Sequence, residues 1–95
     1  MYIKIHYGQL GEVVAICDKE LIGKRFEEGI LQLEVHKEFY KGERKNRKYV
    51  KKIMMEASNL SLVGEKTIKL ALEDGIIDEK NVIRIQGVPH AQCLK

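Results

Sequence analysis

Apolar and polar residues alternate from the start of the chain. YIKIHY (2–7) has period two, GQLG (8–11) supplies turn residues, and EVVAICD (12–18) resumes the apolar pattern. This predicts a β-hairpin with a four-residue loop. The simplest register sets Ile3 and Ile5 against Ile16 and Val14 on one face, and Tyr2, Lys4 and His6 with Cys17, Ala15 and Val13 on the other. The first face is the more apolar and is expected to be the core. Residues 19–29 read as irregular, with Gly23 and Gly29 as punctuation. ILQLEVH (30–36) alternates again, with Leu31, Leu33 and Val35 inward, and KEFYKG (37–42) closes the β-rich half.

The period then lengthens. Over 43–58, Tyr49, Val50, Ile53, Met54 and Ala57, with Leu60 beyond, fall within an arc of about 140° on a helical projection. The basic residues from Arg44 to Lys52 lie opposite, with Met55 among them. A second helix is expected at about 62–74, apolar over most of its circumference, with Glu65, Lys66, Lys69 and Glu73 as its polar strip and Gly75 as its stop. NVIRIQG (81–87) reads as a last short strand. After it, Gly87 and Pro89 brace a loop that presents His90. The order β-β-β-α-α-β predicts one α+β domain over 1–95: a small sheet of about four strands with two helices packed on one face.

Charge changes this picture more than composition does. The 95 residues carry a net charge of +3, but KGERKNRKYVKK (41–52) alone holds Lys41, Arg44, Lys45, Arg47, Lys48, Lys51 and Lys52 against Glu43, a local +6 that leaves −3 elsewhere. Helix faces usually mix signs, because like charges four apart, such as Arg44/Lys48 and Lys48/Lys52, repel. A dense, uncompensated cationic face suits phosphates, whose counterions it releases on binding. Tyr40 and Phe39, just before the helix, are the expected stacking partners for bases, while Tyr49 is expected in the core. A solvated helix face, or a docking face for an acidic protein, fits the same charge.

Other chemistry has thinner support. Two cysteines, Cys17 and Cys93, make no disulfide framework. The start, Met1-Tyr2-Ile3-Lys4, is unlike a leader, and no apolar run approaches the ~20 residues of a membrane span. The expected setting is therefore a reducing cytoplasm. His90 and Cys93 form H-x-x-C, half a metal site that Cys17, His6 or His36 would have to complete at spacings unlike known ligand pairs, so no metal is expected. Cys17, activated by a histidine of which His90 is the best placed, is the candidate nucleophile for a small enzyme. Asp18 with Glu20 or Glu27 with Glu28 are the candidate carboxylate pairs, though adjacent acids in loops are usually solvated. Neither G-x-x-x-x-G-K-[ST] nor G-x-G-x-x-G occurs, and no cofactor is expected.

AICDKELIGK (15–24), FEEG (26–29), FYKGE (39–43), NLSLVGEKTIKLALEDGIID (59–78) and NVIRIQGVPHAQ (81–92) together resemble the archaeal domain-of-unknown-function family 424, GVPHAQ being the most specific segment. The resemblance implies a small archaeal cytoplasmic protein without an established activity. It also implies genes often neighbouring those of translation components. A shared family site would draw on Asp18, Tyr40, Glu65 and His90. This chain departs from the family after FYKGE, where RKNRKYVKK is more basic than usual. The expectation is an RNA- or ribosome-associated binding protein that grips phosphates through residues 41–52, with an acidic protein partner as the alternative and a Cys/His enzyme as the third reading.

Overall fold

In the computed structural model, β1 (Tyr2–Gly8) and β2 (Gly11–Cys17) pair antiparallel in the register that the alternation predicts, with Ile3 opposite Ile16 and Ile5 opposite Val14. The structure describes residues 1–9 and 11–95; Leu10, in the expected turn, lies outside the described residues. The remaining elements are β3 (Arg25–Glu28), β4 (Leu31–Glu34), α1 (Lys37–Tyr40), β5 (Glu43–Arg44), α2 (Arg47–Glu56), β6 (Asn59–Val63), α3 (Glu65–Glu73), β7 (Ile83–Ile85) and β8 (Val88–Leu94).

The α+β class holds, but the sheet is larger than expected. Six strands run in the order β5-β1-β2-β6-β8-β7, and β3 and β4 form a separate two-stranded sheet. The central strand β6 is not among the expected elements: residues 59–61 fall between the two expected helices and 62–63 at the start of the second. Leu60, Ser61, Leu62 and Val63 are all buried, and a short strand covered on both faces lacks the alternation that would mark it. It lies parallel to β2, with Ile16 beside Leu62, and antiparallel to β8. The expected loop at His90 is also strand. Gln86 and Gly87, both at positive φ (51° and 77°), turn the chain directly from β7 into β8, as a tight two-residue hairpin requires.

Both sheet faces are covered, so the two-helices-on-one-face reading describes half the molecule. On one face α2 and α3 set Val50, Met54, Ile68, Leu70 and Ala71 over Ile3, Val14, Ile16, Leu60 and Leu62. On the other, the β3–β4 hairpin and α1 bring Leu33, Val35 and Tyr40 over Ala15, Cys17, Val63 and Ile85. Helix α3 exposes its expected strip, Glu65, Lys66, Lys69 and Glu73, and ends before Gly75 at φ 67°.

Asp18 joins these layers. Its buried carboxylate accepts hydrogen bonds from the backbone N–H of Lys66 (3.0 Å) and of Thr67 (2.9 Å) and from Thr67 Oγ1 (2.8 Å), satisfying the first turn of α3 from 48 residues away in sequence. Negative charge at a helix N-terminus also opposes the end of the helix dipole. Gly64 makes room for it: φ is 112°, and a Cβ there would meet Asp18 Cγ at 2.4 Å. Asp18→Ala leaves the buried Thr67 donors and the part-buried Lys66 N–H unpaired, and should lower stability by about 3 kcal/mol or more. Gly64→Ala, combining strain with collision, should destabilise comparably. Urea unfolding measures both; a loss of a few tenths of a kcal/mol for Asp18→Ala would contradict the capping role.

Candidate nucleic-acid interface

The basic segment divides into a strand, a cap and a helix. Glu43 and Arg44 form β5, pairing with Ile3 and Tyr2 at the edge of β1, and the Lys45 N–H donates to the Met1 carbonyl at 3.0 Å. The side chain of Asn46 then accepts the Tyr49 N–H at 2.9 Å and starts α2, as asparagine does before a first helical turn. The expected helix over 43–58 is therefore shorter at its start, and Arg44 and Lys45 leave it.

This alters the expected compensation of charge. Arg47 pairs with Glu73 at 2.7 Å and Lys51 with Asp74 at 3.3 Å, tying α2 to α3, while Lys45 pairs with Glu43 at 3.0 Å. The Glu43 carboxylate holds the Lys45 ammonium pKa above its ordinary value. Lys41, Arg44, Lys48 and Lys52 form no ion pair among the described residues, and all four are exposed. Lys48, Lys51 and Lys52 ring a shallow hollow of about 300 Å³ beside Met55, which is 61% exposed.

The aromatic residues exchange roles. Tyr40 is a core residue: it is 6% exposed and its hydroxyl shares a 2.8 Å hydrogen bond with Ser61 Oγ. Burial, as the largest influence, raises its pKa. It offers no face to a base, which corrects its expected stacking role. Phe39 is engaged too, stacked on His6 at 4.4 Å, with His6 Nε2 donating to the Phe39 carbonyl at 2.8 Å. Tyr49 lies in water at 44% exposure, and Tyr7, near the tip of the β1–β2 hairpin, at 77%. Tyr49 lies on the apolar arc and is expected in the core, but α2 fully buries only Val50 and Met54. Lys45 Nζ lies 4.7 Å from the Tyr49 ring centroid, a cation–π distance. The sequence signal for where α2 begins is Asn46, an asparagine at the N-cap position.

The residues set aside for a family site do not converge on one cavity. Asp18 caps α3, Glu65 is exposed in its first turn, Tyr40 bonds Ser61, and His90 is half-buried on β8 opposite Ile83. Burial lowers the His90 pKa, keeping the ring neutral at pH 7. His90 and Cys93, an odd number of residues apart on β8, point to opposite sheet faces. Cys17 and His90 share a face but flank Val63 from two strands apart, roughly 9–10 Å between backbones, too far for a thiol–imidazole bond. Among the described residues no group of three or more His, Cys, Asp or Glu is placed to hold a metal ion. No helix among them is long and apolar enough to cross a membrane.

A fold with a six-stranded mixed sheet, two helices on one face and a hairpin on the other defines a small α+β class. A family model, "Protein of unknown function (DUF424)", matches residues 5–95. The chain belongs to this family. Among solved structures, an uncharacterised conserved protein from Methanopyrus kandleri is similar, with a TM-score of 0.75 and 23% identity over 96% of this chain and 87% of that one; the likeness is one of fold. No curated protein matches the chain.

Cys17 is wholly buried, and its thiol pKa is pushed from 9.0 up to about 12, first by burial and then by the charge of Asp18. The folded state thus favours the protonated thiol. Its contribution to stability is complete below about pH 9 and falls as pH rises from there toward 12. Cys17→Ala should flatten the alkaline decline of stability. In a Cys93→Ser background, an aromatic disulfide reagent should leave native Cys17 unmodified at pH 8 and react fully in denaturant. Rapid native reaction would return Cys17 to consideration as a nucleophile.

Proposed function

We propose that the protein binds RNA, free or within a ribosomal particle, through phosphates that meet α2 and the segment leading into it. The observation that carries this reading is the set of exposed cations without carboxylate partners, Lys41, Arg44, Lys48 and Lys52, on a stretch that also leaves Tyr49 in water. Surface lysines this close repel one another unless a polyanion joins them. Arg47, Lys51 and Lys45 sit beside them, but their carboxylate partners reduce what they offer to phosphate. The link to translation rests on the gene neighbourhood that membership of the family implies.

A second reading has its own observation. Met55 stands exposed amid three lysines, an arrangement suited to an acidic partner helix with one apolar anchor. Met55→Ser separates the two: it should leave RNA affinity unchanged and weaken only an acidic polypeptide.

The phosphate grip predicts that affinity for single-stranded RNA falls with salt between about 50 and 200 mM, at a log–log slope of roughly −0.7 per phosphate contact. Fluorescence anisotropy measures this. The variant to use is Lys48→Glu with Lys52→Glu, which leaves the Lys51–Asp74 and Arg47–Glu73 pairs intact. It should reduce the slope by about 1.4 and weaken binding to every sequence alike. Unchanged binding by the folded double variant would remove α2 from the interface.

A further inference from the structure

Strand β5 covers only Tyr2 and Ile3 of β1. Beyond them the β1 edge has no strand partner among the described residues, and a hollow of about 330 Å³ opens between β1, Glu43, Lys45 and the first turn of α2. This volume is within the range of about 300–1,000 Å³ that small-molecule sites occupy. Tyr7, Tyr49 and Ile5 line it, and they are 77, 44 and 37% exposed. Three large apolar side chains around one recess bordered by cations leave it short of one flat apolar occupant.

Charge narrows the choice of occupant. Glu43 lines the hollow, its carboxylate 3.0 Å from Lys45 Nζ. A carboxylate there repels a phosphate or an acidic side chain but accepts an N–H from a base edge. The phosphates of the same strand are left to Arg44, Lys48 and Lys52. Aromatic faces serve unpaired bases, since bases inside a duplex stack on each other.

From this geometry we infer that the hollow seats one unpaired RNA base against Tyr49 and Tyr7, with Glu43 accepting a hydrogen bond from the base's exocyclic amino group. The site then selects single-stranded or looped RNA over duplex, and the amino-bearing bases, cytosine, adenine and guanine, over uracil, which has no amino group. The inference rests on the RNA reading above and assigns its substrate class.

The test compares C, A and U octaribonucleotides with an RNA duplex of the same length, titrated against the parent and single variants by anisotropy over a salt series, with circular dichroism confirming each fold. The parent should prefer single strands to duplex, and C and A to U. Tyr49→Ala and Tyr7→Ala should each weaken single-strand binding roughly five- to 150-fold with the salt slope unchanged, and Tyr49→Phe should retain affinity. Glu43→Gln, whose amide also donates, should erase the preference against U. Equal affinity for duplex, or loss-free Tyr→Ala variants alongside a still sensitive Lys48→Glu/Lys52→Glu protein, would overturn the base seat and leave the phosphate grip standing. An acidic polypeptide that binds as tightly as RNA and responds equally to Tyr49→Ala would overturn it in favour of a protein partner. Absence of RNA binding at low salt would overturn both.

Discussion

The carboxylate of Asp18 is the constraint on which the other layers depend. It leaves the end of β2 and closes the first turn of α3, while the Asp18 backbone N–H donates to the Val63 carbonyl at 3.1 Å. The end of one central strand, the end of its parallel neighbour and the start of the covering helix thus meet in one buried hydrogen-bonded group. Parallel pairing cannot be made by a tight turn, and β2 and β6 are separated by the β3–β4 hairpin, α1, β5 and α2. A fixed contact at the far end of that excursion holds the two strands in register, and with them the floor on which α2 lies.

From that floor the surface charge follows. α2 is ten residues long and fully buries two side chains, Val50 and Met54. Its ion pairs to Glu73 and Asp74 lie on the side facing α3, and the remaining helix cations, Lys48 and Lys52, are exposed to solvent. The Asp74 pair is the better shielded, its carboxylate side chain being 12% exposed; the others are open to water and contribute little to stability. The helix is therefore held chiefly by its apolar contacts and cap, and its outward cations are free to serve binding.

How much of this was legible in the sequence depended on whether a segment met one environment or two. The β1–β2 register followed from the alternation of β1 and the turn residues at 8–11, and the polar strip and glycine stop of α3 from a 3.6 period interrupted only at its ends. β6 escaped because both of its faces are covered. β3 escaped because Arg25, Glu27 and Glu28 are exposed and only Phe26 packs inward. His90 was read as a loop residue, since the Gln86–Gly87 turn was taken for the end of the sheet when it is a hairpin. The cations of the candidate interface were plain from charge density alone. Its aromatic residues were not, because Tyr40 and Tyr49 exchange places once β5 displaces the start of α2, and only tertiary packing decides which ring stays in water.

The proposed grip makes a spatial claim that one experiment addresses directly: a ¹⁵N-labelled sample titrated with single-stranded RNA and followed by amide chemical shifts. The account predicts that the perturbed amides map to Glu43–Glu56 and to Tyr7 on β1, with the β3–β4 hairpin and the β7–β8 turn unmoved. Shifts confined to that hairpin and turn, or none at all at low salt, would contradict it.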